Sequence, residues 1–110
     1  MVCDAGEIVL VPFPFTDSPE AKRRPALVVT PARFNREAGN SLMAMITSAA
    51  HSRWPGDIAI APGLLGVKKP CVLRMKFFTI DDRLIVSAIG KLPAGERRKV
   101  RLFLDQLLGP

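Results

Sequence analysis

The chain predicts a mainly β fold with a C-terminal helix: short strands bent into a compact antiparallel sheet or small barrel, with the helix covering part of it. Three features of the sequence carry that prediction. Short runs of β-branched and apolar residues recur from Glu7 to Lys91. Clusters of Pro, Gly, Asp and Ser punctuate them. After Glu96 the apolar spacing changes to that of a helix. Hydrophobic residues at 48% and charged residues at 24% are ordinary globular usage. The length of 110 residues suits one domain spanning 1–110.

Each element has its own signal. Glu7 to Phe13 is a β-branched run whose Pro12 suits a strand end or an edge. Pro14 to Arg24 reads as a surface loop, and Pro25 to Thr30 as a second strand apolar enough to be buried on both faces. Pro31 to Arg36 can form one helical turn, with Thr30 as its N-cap and Pro31 at the first position. Ser41 to Ser48 is a third apolar strand ending in hydroxyl residues. His51 to Gly56 is a loop and Asp57 to Ile60 a short alternating strand. Pro62 to Pro70 is a loop, Cys71 to Ile80 a long strand, and Leu84 to Lys91 its return after a turn at Asp81–Arg83. Val100, Phe103, Leu104, Leu107 and Leu108 make the stripe of an amphipathic helix packed on the core, which Gly109-Pro110 ends.

Sixteen Lys and Arg against ten Asp and Glu give a net charge of +6, which favours a polyanionic partner. The cations are grouped as Lys22, Arg23, Arg24, Arg33 and Arg36; as Lys68, Lys69, Arg74 and Lys76; and as Arg97, Arg98, Lys99 and Arg101. The third group reads as the solvated face of a helix, while the first two adjoin strands and suit a binding surface. No stretch approaches the roughly 20 apolar residues of a membrane span, so no membrane partner is expected. The acidic start, with Asp4 and Glu7, does not resemble a signal peptide, and a cytoplasmic location is expected. Cys3 and Cys71 lack metal-ligand or redox spacing, and His51 is the sole histidine, so neither a metal nor another cofactor is expected.

Chemistry must therefore come from Arg, Lys, Thr, Ser and backbone amides. That set suits holding a phosphodiester and stabilising added negative charge as it reacts. RNA supplies its own nucleophile, the 2′-OH. Arg24 precedes Pro25, where the backbone is held extended. Thr47 and Ser48 offer hydroxyls at a strand end, and Arg74 lies in a strand among apolar neighbours, where it calls for a specific partner. Lys76 extends that cationic strand, and Arg23 extends the cation pair before Pro25. Trp54 can either stack on an unpaired base or pack on the protein.

The segments Gly6–Phe13, Lys22–Val29, Ile46-Thr47-Ser48, Val72-Leu73-Arg74 and Ile89–Leu92 resemble, in order and spacing, the MazF/PemK family of toxin–antitoxin ribonucleases. The resemblance implies an SH3-like barrel of the PemK/CcdB type, a homodimer, and sequence-selective cleavage of single-stranded RNA without a cofactor. It also implies a cognate antitoxin whose acidic tail occupies the RNA groove. By position it assigns Arg24 the main catalytic role, Thr47 a contact to the scissile phosphate, and Arg74 a further catalytic part. Arg23, Ser48, Trp54 and Lys76 would bind RNA. Where one branch of the family has an Asp two residues after the strand Arg, this chain has Lys76, so the general base is unassigned. Nor is there a His between Asp17 and Arg24. Two other classes stay open: a CcdB-like DNA gyrase poison acting through the terminal helix, and a catalytically silent RNA- or antitoxin-binding module.

Overall fold

The computed structural model describes residues 1–12, 23–50, 53–66 and 69–109. Phe13, Phe15, Lys22, His51 and Lys68 lie outside them. The strands are β1 (Glu7–Pro12), β2 (Arg23–Val28), β3 (Asn40–Ser48), β4 (Ile58–Ile60), β5 (Cys71–Asp81) and β6 (Ser87–Lys91); the helices are α1 (Ala32–Ala38) and α2 (Ala94–Leu108). The strands form one antiparallel sheet in the order β4-β5-β3-β2-β1-β6. It curls into a half-barrel, and the 3₁₀ turn Pro62–Leu65 brings Leu64 against Gly90 of edge strand β6. The expected SH3-like, PemK/CcdB-type barrel with a C-terminal helix is what the chain forms.

Alternation along the strands gives the sheet two apolar faces. Ile8, Leu27, Ala44, Ile46 and Leu73 point to one, where Leu92 and Val100 pack on them. Val9, Val11, Ala26, Val28, Met43 and Phe78 point to the other, with Cys3 and Ile85. Cys3 and Cys71 belong to opposite clusters and are free thiols. Burial raises the Cys3 pKa, and the neighbouring Glu7 carboxylate adds to the rise.

Several expectations are corrected. Thr30 does not cap α1: Pro31 holds the N-cap position without a side-chain bond, and Asp4 reaches across to accept from the Ala32 N–H at 2.8 Å. That bond, and one from the Ala5 N–H, hold the Asp4 carboxyl below its usual pKa. The loop after β4 contains the 3₁₀ turn. The segment from Leu84 is not strand at its start: Asp82–Leu84 is a second 3₁₀ turn, whose N-cap Asp81 accepts from the Arg83 N–H, and pairing begins only at Ser87. The α2 stripe is core only in its first half. Val100 is buried and Phe103 and Leu104 half-buried, but Leu107 and Leu108 are 49% and 75% exposed. The helix packs beside β4, a three-residue edge strand, and its last turn runs beyond that support.

Candidate active site

Pro25 shapes the site. It sits inside β2 and pairs with Leu10 of β1, but it has no N–H to give to β3. The β2–β3 ladder accordingly ends at Ala26–Met45. On the outer sides pairing continues, to Arg23 opposite Pro12 and to Ser48 opposite Cys71. The ends of β2 and β3 therefore flank a gap in the middle of the sheet.

A groove of about 390 Å³ occupies that gap, lined by Arg23, Arg24 and Pro25 from β2 and by Ile46, Thr47 and Ser48 from β3. Leu10, Ile89, Leu65 and Cys71 complete its apolar wall, and Lys69 adds a cation at the rim. Arg24 and Thr47 point to the same face: each lies two residues from the paired Ala26 and Met45, in the same direction. Arg23 is exposed, Arg24 partly so, and Thr47 is 7% exposed. The Ser48 hydroxyl accepts the Ala50 N–H at 3.2 Å, which shapes the turn leaving the strand. One cleft thus unites Arg23, Arg24, Thr47 and Ser48.

Arg74, Lys76 and Trp54 form a neighbouring cluster. Arg74 faces Met45 across the β3–β5 pair, and Thr47 faces Val72, so Arg74 is the diagonal neighbour of Thr47, at ~7–8 Å between backbones on the same face. Met75 and Lys76 follow at a break in the register, where β5 carries two residues with no counterpart in β3. The Arg74 guanidinium lies 5.8 Å from the Trp54 ring centroid and the Lys76 ammonium 5.9 Å, both within cation–π range. Trp54 is 40% exposed, so it packs on the cationic strand while still presenting ring surface to solvent.

The expected partner of Arg74 is Asp57, which the sequence reading did not select. Arg74 Nε donates to Asp57 Oδ1 at 3.2 Å and Nη2 donates to Oδ2 at 2.9 Å, a two-pronged ion pair. The two side chains are only 8% and 20% exposed. Hydrogen bonding to Asp57 raises the already high pKa of Arg74, so the guanidinium stays charged at any working pH. A register count contains this pair: Ile58 faces Leu73, so the preceding residue stands beside Arg74. Among the described residues no cluster of three or more His, Cys, Asp or Glu could hold a metal ion.

Comparison with known proteins agrees with this architecture. A model of the PemK-like, MazF-like toxins of type II toxin–antitoxin systems matches residues 4–108. No curated protein matches the chain. A crystal structure of MazF from Deinococcus radiodurans superposes with a TM-score of 0.77 at 31% identity, covering 100% of this chain and 99% of that one. A MazE–MazF complex from the same organism superposes at 0.76 with 34% identity, over 99% and 98% of the two chains. An endoribonuclease solved with its cognate antitoxin from a mycobacterial species shares the fold at 16% identity and a TM-score of 0.73, over 98% and 94%. With the match running through both strand ends that flank the groove, the chain belongs to the PemK-like, MazF-like family of type II toxin–antitoxin toxins.

Proposed function

We propose that the protein is an endoribonuclease that cuts single-stranded mRNA at selected sequences, using the 2′-OH of the substrate as nucleophile and no metal. One observation carries the reading: Arg24 and Thr47 line one groove, on strand ends that Pro25 keeps apart. Attack by the 2′-oxygen forms a new P–O bond and breaks the bond to the 5′-oxygen of the next nucleotide. The 2′-OH proton passes to solvent and the departing 5′-oxygen takes one up from solvent, so the products are a 2′,3′-cyclic phosphate and a 5′-hydroxyl. Between those events the phosphorus carries added negative charge on its non-bridging oxygens, which Arg24 neutralises while the Thr47 hydroxyl fixes the phosphate. Arg74, one diagonal step away, adds a second charge-assisted donor. Arg is too basic to accept the 2′-OH proton readily, so catalysis here rests on charge stabilisation and alignment.

In this reading Arg23, Ser48 and Lys76 bind flanking phosphates, and Trp54 stacks on a base beside the cut. A cognate antitoxin would place an acidic segment in the same groove, where its carboxylates meet the same cations. The toxin would act as a homodimer. Exposed Met1, Val2, Leu84 and Val86 support that, since the Met1 amine donates to the Asp82 carbonyl at 2.6 Å and gathers them around one 3₁₀ turn.

The test incubates wild-type and Arg24→Ala protein with a long single-stranded RNA in EDTA and maps the new ends. Discrete cuts by wild type alone, lost with a 2′-deoxy group at the scissile nucleotide, are expected. Intact RNA with wild type would sink the reading, and gyrase inhibition that survives Arg24→Ala would replace it.

A further inference from the structure

We infer that Asp57 is a positioning residue for Arg74 in RNA cleavage, holding the guanidinium in its reactive orientation from a neighbouring strand. This rests on the ribonuclease reading. With Lys76 in place of an acid, β5 carries no carboxylate near Arg74 on its own strand; the acid comes from across the sheet edge instead. Asp57 occupies both Nε and Nη2, so the plane of the guanidinium is set by two bonds rather than one. Without those two bonds the guanidinium could turn about its last side-chain torsions, and its donors would meet a phosphate only part of the time.

The surroundings of Asp57 are built to hold it. Trp54, Pro55, Gly56 and Asp57 form a tight turn, closed by the Asp57 N–H donating to the Trp54 carbonyl at 3.2 Å. Proline second and a glycine with φ of +79° third are what a type II turn requires. This one turn delivers the ring under Arg74 and the carboxylate beside it. It is braced from behind, because Gly56 lies so close to the Phe103 ring of α2 that any Cβ would overlap it. Arg74 is thus fixed on two sides by residues three positions apart in one turn.

A purely structural ion pair between β4 and β5 would have the same geometry, so the test must separate the two roles. Replacing Asp57 by Asn removes a negative charge beside a polyanion site. RNA should bind as tightly or more tightly, because the site becomes more cationic. The cleavage step should nonetheless slow by on the order of tenfold to a hundredfold, because the guanidinium loses its alignment. A drop in kcat with a lower KM, at an unchanged urea midpoint, is a split that a loosened fold does not give. In an Arg74→Ala background Asp57→Asn should add no further loss, since Asp57 acts only through Arg74. Asp57→Glu keeps both acceptor oxygens, should fold, and should cleave at a rate between wild type and Asp57→Asn. Wild-type kcat in Asp57→Asn or in Arg74→Ala overturns the inference, as does an additional loss in the Arg74→Ala background. If wild-type protein fails to cut RNA at all, the ribonuclease reading falls and this inference with it. An active wild type with an indifferent Asp57 overturns this inference alone.

Discussion

Asn35 is uncharged and lies away from the groove, yet it is fully buried with all its polar atoms engaged. Its Nδ2 donates to the Cys3 and Thr30 carbonyls, both at 2.9 Å, and its Oδ1 accepts from the Thr30 hydroxyl. It ties the N-terminal segment and the exit of β2 to α1. Asn35→Ala strands those buried carbonyls without a donor and should destabilise the fold by about 2–3 kcal/mol, measured as a shift in urea midpoint at constant slope. Nothing in the sequence singles this residue out, since an Asn in a short helix usually faces water. Arg74 is the opposite case: an arginine among apolar strand residues announces a partner, but its identity depends on register. Asp57 sits beyond a loop whose length does not fix the pairing, so the pair became legible only with Ile58 placed opposite Leu73.

Among the elements, the strand pattern was readable because β-branched runs and proline breaks are local signals. The 3₁₀ turns were not, because they depend on caps such as Asp81. The α2 stripe misleads in its last turn, since a helical period says which residues share a face but not how far the neighbouring sheet extends. Where α2 does touch the sheet edge, it meets Gly56 through Phe103. That contact gives an element-level prediction. Gly56→Ala adds a Cβ at a left-handed backbone position and drives it into the ring. The turn must shift, carrying Trp54 and Asp57 away from Arg74. RNA cleavage should fall by at least about tenfold, while far-UV circular dichroism still reports the sheet. Wild-type activity in Gly56→Ala would show that the brace on the turn is dispensable.

At the level of the whole molecule, charge is the clearest message of the sequence, and the fold sorts it. The groove and the β5 cluster gather Arg23, Arg24, Lys69, Arg74 and Lys76, whereas Arg97, Arg98, Lys99 and Arg101 stand exposed on α2. Opposing acids set the response to pH. The Arg83 side chain and backbone N–H hold the Asp81 carboxyl at about 2, against an ordinary 3.8, and Asp4 is lowered by the amides it caps. Both groups bind protons less readily folded than unfolded. Their stabilisation is fully present above about pH 4 and is lost as pH falls toward 2. Urea midpoints should fall across that window, with only a shallow slope from Asp81 because its pair is at the surface. Asp81→Asn should flatten the fall further, and an unchanged profile would remove Asp81 from the account.

The gap at Pro25 has a kinetic meaning as well. Clefts that open by hinging impose a conformational step before a ligand can enter, and that step can limit the encounter. Here the separation of β2 from β3 is written into the covalent chain as an absent proton donor. In the reaction proposed above, a phosphate reaching Arg24 and Thr47 would break no ladder hydrogen bond between those strands, so along this gap the sheet would need no opening step before the RNA arrived.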